Sequence, residues 1–403
     1  MPQSKRFLVL TADAGFGHRS AANAVAEALR DRYGEASQCV IANPVLEGPS
    51  AHILSRAERE YDRTVSQRGM YGLTYHLGDV PATMAIFAEM LKPMLGPALR
   101  QALDETRPDA VLSTYLFFQP VLRSLVGKGP AAIPLFVVAT DLADLQKLWF
   151  KGNPDRLFLG SDKARQEALE AGLSPERLVV SGIPVDPRFA LETRSKEALR
   201  RFLGWEADKT TLIAVGSRRV KGLYENLLAV DLGQADVQLV MVAGGDDDLY
   251  QEFLQTRWRL PAHVYNYVEN LPEMLRAADV LVSKAGGLIL SEALACGLPV
   301  LLSDVIPGQE EGNAQILCDE KAGVWARSPQ EMRLVLESWL AEDGKVLKEF
   351  AANARRLGKP RAALDIAEAL WQAAVPGKGL RVAGQGAGLG LRKGPARGGI
   401  GGS

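Results

Sequence analysis

Residues 278–302 place the tightest limit on what this chain can fold into. Ala278-Asp279-Val280-Leu281-Val282 is apolar enough for a strand buried on both faces. Lys284-Ala285-Gly286-Gly287 follows, with glycines that tolerate φ > 0 and let a ligand approach the backbone. Leu288 to Cys296 has helical spacing, with Leu290, Ala293 and Leu294 on one side and Gly297 placed to end the helix. Pro299 and Val300-Leu301-Leu302 then open another buried strand. This strand–helix–strand unit implies an α/β fold with a parallel sheet. Free N–H groups at the start of its helix favour an anion. The glycines alone also fit a turn that merely packs helix against sheet.

The surroundings of that unit carry chemistry. Glu292 lies about one and a half turns into the helix, where a carboxylate can reach two vicinal hydroxyls. Beyond the second strand come Asp304, Gln309, Glu310, Glu311 and Asn313 around Pro307-Gly308. Amides and carboxylates suit a polyol, and a solvated loop uses the same residues. At the other end of the chain, Phe7-Leu8-Val9-Leu10 is a short strand. Ala21, Ala22, Val25 and Leu29 share a helical face after it, so Gly15-Phe16-Gly17 forms the turn and His18 falls in the first helical turn. A histidine there sits at the carboxyl end of a strand, where open α/β sheets bind ligands. The helix start favours a neutral imidazole able to accept a proton. Asp13 serves equally well as a turn cap.

At 403 residues the chain exceeds one typical core and implies two domains. The expected division is 1–185, 186–376 with a closing helix at 362–374, and a glycine-rich tail at 377–403 that buries too little to order. Leu178 to Asp186 reads as the linker. Lys and Arg number 47 against 48 Asp and Glu, which gives no basic excess for nucleic acid. No apolar run approaches the length of a membrane-spanning helix, and the N-terminal apolar run suits a first strand better than a signal peptide. Cys39, Cys296 and Cys318 are widely spaced and odd in number, which fits neither a disulfide framework nor a zinc site and suits a reducing cytoplasm. Ala110 to Ser113 and Leu135 to Thr140 read as further buried strands, and Thr211 to Val215 as the first strand of a second sheet.

The motifs in order, G-F-G-H-R-S-A-A, T-D-L…W-F, K-A-G-G, S-E-A-L and P-G-Q-E-E-G-N, resemble those of GT-B glycosyltransferases. The resemblance is to the branch with monogalactosyldiacylglycerol synthases, processive diacylglycerol glucosyltransferases and the peptidoglycan N-acetylglucosaminyltransferase. It implies two Rossmann-like domains with a cleft between them. It also implies a UDP-sugar donor and a lipid acceptor. On that basis Glu292 would hold the ribose, and Lys284, Ala285, Gly286 and Gly287 the diphosphate. Gln309, Glu310 and Asn313 would take the sugar, and the backbone at Val268 the uracil. Gly15 and Gly17 in the first loop, and Gly216, Ser217, Arg218 and Lys221 after the first strand of the second sheet, would complete the donor site. His18 becomes the candidate general base, with Asp141 either orienting it or binding the acceptor hydroxyl.

Several features bear on mechanism. Arg218 and Lys221 can offset a leaving diphosphate, and no Asp-x-Asp stands beside the nucleotide site, so neither a catalytic metal nor another cofactor is expected. Retaining GT-B members carry Glu eight positions before the helix Glu; Lys284 stands there, which favours inversion. A UDP-sugar 2-epimerase and a non-enzymatic sugar-nucleotide binder are the competing readings. Gln146 and Lys151 replace histidines common in related galactolipid synthases. By the same resemblance, the apolar and aromatic residues between Ala51 and Arg107 form an acceptor groove that enters the bilayer interface, and a helical layer packed on the sheet would use the same residues. A peripheral location on the inner face of the cell membrane follows from that reading.

Overall fold

The computed structural model describes residues 4–13, 16–47, 81–129, 131–218, 220–231 and 236–377. Two six-stranded sheets, every pairing parallel, make up the fold. The first comprises β1 (Lys5–Leu10), β2 (Ser37–Ala42), β3 (Ala110–Ser113), β4 (Leu135–Val138), β5 (Arg156–Leu159) and β6 (Leu178–Val180), in the order β2-β1-β3-β4-β5-β6. The second comprises β7 (Thr210–Val215), β8 (Val237–Val242), β9 (Ala262–Tyr265), β10 (Val280–Lys284), β11 (Val300–Asp304) and β12 (Gly323–Trp325), in the order β12-β11-β10-β7-β8-β9. Strand order reverses at β1/β3 in one sheet and β7/β10 in the other. A crevice opens at the carboxyl end of such switch points. His18 follows β1 and the Gly286-Gly287 turn follows β10, so each candidate site falls at its own sheet's switch point.

The strands form because their apolar runs find cover on both faces. In β1, Leu8, Val9 and Leu10 are fully buried, and so are Val280, Leu281 and Val282 in β10. Alternate side chains face different helix layers: Phe7 and Val9 join one cluster, Leu8 and Leu10 another. Asp279 precedes β10 instead of lying within it, because its carboxylate accepts from Thr211 N (2.9 Å) and pairs with the buried Arg200 (2.5 Å).

Two boundaries differ from the sequence expectation. The 178–186 linker begins with a true strand, β6, and its Ile183 and Val185 are buried in the core of the second domain. The closing helix Ala362–Ala373 belongs spatially to the first domain. Ala363, Ile366, Ala367 and Leu370 pack with Phe7, Val9, Val25 and Leu29. Trp371 stacks on Tyr33 with ring centroids 3.9 Å apart, and Lys5 Nζ donates to the Trp371 carbonyl at 2.7 Å. The apolar face of the helix finds its match in the alanine-rich face of the helix Phe16–Tyr33. The chain therefore crosses between domains twice, and the crossings touch: a Cβ on Gly182 would lie 2.4 Å from Lys359 Cβ.

Within the stretch from 51 to 107, the helix Pro81–Thr106 packs Leu91, Leu95, Leu99 and Leu103 onto the first sheet, which supports the helical-layer reading for that part. Met90 is exposed. Residues 48–80, the side chains of Met84, Ile86 and Phe87, and the tail from 378 onward lie outside the described residues. No described helix is long and apolar enough to cross a membrane.

Candidate active site

The first loop is built around Asp13. Its carboxylate accepts from Arg19 Nε (2.8 Å) and Nη2 (3.0 Å) and from Asn43 Nδ2 (3.0 Å). The Arg19 hydrogen bonds hold its pKa below the usual carboxylate value. Asp13 is a loop clamp, in line with the turn-cap reading. The helix Phe16–Tyr33 starts directly after this loop, and Thr114 Oγ1 donates to the His18 carbonyl at 3.0 Å, fastening its first turn to the end of β3. The His18 ring stands edge-on to Tyr115, with centroids 5.2 Å apart, and 6.2 Å from Trp149. Its Nδ1 lies 3.0 Å from Thr140 Oγ1. Thr140, Tyr115 and Trp149 were not singled out from the sequence. Thr140 and Trp149 fall inside the T-D-L…W-F motif, which was the available signal. Gly15 lies outside the described residues.

A side-chain neighbour of His18 Nδ1 is thus Thr140, the residue before Asp141. Asp141 instead accepts from Asn313 Nδ2 at 3.3 Å, across the domain boundary. Its pKa is raised to about 6, first by burial and then by the Glu310 charge, against the opposing effects of Asn313 and Lys284.

In the second domain the turn after β10 has a different geometry from the one its glycines suggest. Gly286 has φ −70° and Gly287 begins the helix Gly287–Ala295, so neither occupies the left-handed region. What requires glycine is close approach. A Cβ on Gly287 would lie 2.3 Å from the Thr140 carbonyl oxygen, and one on Gly286 2.7 Å from Lys284 Nζ. Gly17 faces the same helix, its would-be Cβ 3.9 Å from Leu288 Cβ. The start of the helix Gly287–Ala295 thus meets both the His18 helix and the end of β4.

Glu292 is largely enclosed, with part of its side chain open. Burial, and then the Asp186 charge, push its pKa up to about 8; no hydrogen bond from a described residue offsets them. Lys284 is ion-paired with Glu310, which is 2 % exposed and also accepts from Ile306 N at 3.1 Å. Asn313 is fully buried: its Oδ1 accepts from Leu142 N (2.7 Å), and its Nδ2 donates to the Ala285 carbonyl (3.0 Å) as well as to Asp141. Both residues are therefore committed to protein partners. Gln309 is half-buried beside them.

Of the remaining residues expected on the donor side, Lys221 is tied to this turn through Asp304. Its carbonyl accepts from Ala285 N at 3.0 Å, and its carboxylate from Lys221 N at 3.1 Å. Gly216 is buried where a Cβ would lie 2.7 Å from Leu249 Cδ2, while Arg218 is exposed and Ser217 half-buried. Val268 follows β9 and packs on the second-domain core, and the adjacent Glu269 carbonyl accepts from Arg188 Nη2 at 3.1 Å. Asp246 caps the helix Asp247–Gln255 by accepting from Leu249 N at 3.2 Å. Burial raises the Cys296 thiol to about 12, as befits a packing residue.

Comparisons with known proteins follow the same division. The family model for monogalactosyldiacylglycerol synthase matches residues 18–185, and that for group 1 glycosyl transferases matches residues 195–357. Monogalactosyldiacylglycerol synthase 3 of Arabidopsis thaliana is 28% identical over 376 residues, covering 90% of this chain and 80% of the relative. MurG of Acinetobacter baumannii superposes with a TM-score of 0.55 at 15% identity, over 91% of this chain and 99% of MurG. The UDP-GlcNAc 2-epimerase of Neisseria meningitidis, solved with UDP-GlcNAc bound, gives 0.56 at 13% identity, over 91% and 99% of the two chains. At those identities the structural likeness speaks to fold alone.

Proposed function

We propose that this chain, which belongs to the GT-B glycosyltransferases in the branch of the monogalactosyldiacylglycerol synthases, moves a hexose from a UDP-sugar to the hydroxyl of a membrane lipid. Diacylglycerol is the acceptor class and galactose the first hexose to test, since the Arabidopsis relative named above carries both in its name. The observation that carries this reading is that Thr140 borders both His18, at the β1/β3 switch point, and the helix start at Gly287, at the β7/β10 switch point.

His18 accepts the lipid hydroxyl proton on Nε2 as that oxygen bonds to the anomeric carbon. The bond from that carbon to the β-phosphate oxygen breaks, and UDP leaves with the electron pair. Attack opposite the leaving group inverts the anomeric configuration. The helix dipole, Arg218 and Lys221 offset the charge on the diphosphate, while the Glu292 carboxylate accepts from the ribose hydroxyls. The protein works at the membrane surface as a peripheral enzyme of the inner face.

The test is lipid product formation from a panel of UDP-sugars, with mass spectrometry and the product anomer as readouts. His18→Ala should keep UDP affinity within about threefold and lose at least about a hundredfold in turnover. Wild-type turnover in that variant would remove the base assignment. The α-anomer from an α-linked donor would mean retention, and donor turnover without any acceptor would mean an epimerase.

A further inference from the structure

The segment Thr140–Leu142, at the carboxyl end of β4, is held from both domains at once. On its own side, Thr140 Oγ1 lies 3.0 Å from His18 Nδ1. From the other side, Asn313 accepts from Leu142 N at 2.7 Å and donates to Asp141 Oδ1 at 3.3 Å and to the Ala285 carbonyl at 3.0 Å. An N–H facing one end of the amide and two oxygens facing the other fix which end is oxygen. Both amide hydrogens are used and the side chain is fully buried, so Asn313 has no donor left for a sugar.

Backbone packing seals the same seam. Gly287 abuts the Thr140 carbonyl, and a Cβ on Gly312, next to Asn313, would lie 2.4 Å from Asp144 Oδ2. The turn expected to meet the diphosphate and the loop expected to meet the sugar therefore grip one short segment of the other domain. That segment carries the hydroxyl next to His18.

We infer that Thr140 and Asn313 are positioning residues that set His18 as a base only when the two domains meet. This rests on the reading of His18 as the general base. A neutral imidazole has a single N–H. With that hydrogen on Nδ1 and donated to Thr140 Oγ1, the Nε2 lone pair faces the acceptor and can take its proton. With the hydrogen on Nε2, the ring cannot. Asn313 holds the next residues, at the Asp141 carboxylate and Leu142 N, from the second domain, and Gly287 abuts the Thr140 carbonyl, so the oxygen that accepts the Nδ1 hydrogen is in place only in the closed arrangement. Proton uptake on Nε2 leaves the Nδ1–H donating to the same oxygen, so the developing imidazolium stays bonded.

The experiment uses the full chain with UDP-galactose and diacylglycerol in mixed micelles. Thr140→Val is isosteric and should keep the fold and hold KM for the nucleotide sugar within about twofold, while kcat falls at least about tenfold. Thr140→Ser should restore kcat to within about threefold of wild type. Asn313→Ala should lower kcat too, and the Thr140→Val/Asn313→Ala double variant should lose no more than about the worse single, because the two act in one chain. Wild-type kcat in Thr140→Val, equal impairment of the Val and Ser variants, or multiplying losses in the double variant would overturn the inference. Failure of the base reading looks different, since His18→Ala itself would then remain active. A dead His18→Ala beside a fully active Thr140→Val sinks the positioning role alone.

Discussion

Replacing Glu292 with Gln should make the ligand-free protein more stable and a worse nucleotide binder. The carboxyl has a pKa of about 8 against an ordinary 4.5, through burial and the facing Asp186. Between those two values the unfolded chain carries the charge and the folded chain carries the proton. Stability attributable to this group is therefore whole below pH 4.5 and declines as pH rises, by up to about 1.4 kcal/mol per pH unit, until pH 8. Part of the side chain is open to solvent, so roughly half of the full linkage, about 2 kcal/mol, is the expected cost at pH 8. Gln keeps the shape and cannot ionise. Wild type and Glu292→Gln should melt together near pH 4.5 and diverge above it, with the variant higher by about 4–8 °C at pH 8.

Ribose hydroxyls donating to this carboxyl favour its charged form, so nucleotide binding should expel a proton. Calorimetric titration of UDP at pH 7, in buffers of different ionisation enthalpy, should read release of up to about one proton in wild type and none in the variant. Affinity should fall about tenfold or more, the scale of a lost charge-assisted hydrogen bond. Parallel melting curves of the two proteins from pH 4.5 to 8 would refute the burial argument. Matched UDP affinities would refute the ribose contact.

Two further substitutions probe the architecture. Gly287→Ala puts a methyl group where the Thr140 carbonyl oxygen stands 2.3 Å away, so it should prop the domains apart. Turnover should drop at least about tenfold while each domain stays folded, with a larger radius of gyration by small-angle scattering; an unchanged kcat argues against a closed catalytic arrangement. Leu370→Ala on the closing helix removes a fully buried side chain from the first-domain core. It should cost about 2–5 kcal/mol in thermal or urea unfolding, and a loss under about 0.5 kcal/mol would mean that the helix does not dock there in solution.

Much of this fold was legible because parallel strands buried on both faces leave uninterrupted apolar runs. Ala110–Ser113 was bounded correctly from sequence, and β1, β7 and β11 were found within two residues at either end. The helix at 362–373 was legible as a helix, though not in its placement. Its apolar face states that it needs a partner and does not say which domain supplies one. Choosing between Phe7 and the second sheet depends on the path through residues 358–361, which carry no periodic pattern.

The polar residues show the same limit more sharply. Gln, Glu and Asn at 309–313, which read as a loop and prove to run into the helix Glu311–Asp319, advertise hydrogen bonds, and sequence supplies no means of telling a sugar hydroxyl from a neighbouring backbone. Glu310 bonds to Lys284 and Ile306 N, and Asn313 to the other domain. Lys284 changes meaning accordingly. At the sequence level it is a replacement that disfavours one stereochemical course. In the fold it neutralises the buried Glu310 carboxylate beside the turn after β10. The 309–313 segment and the turn after β10 are for that reason coupled through one ion pair, and neither can be read apart from the other.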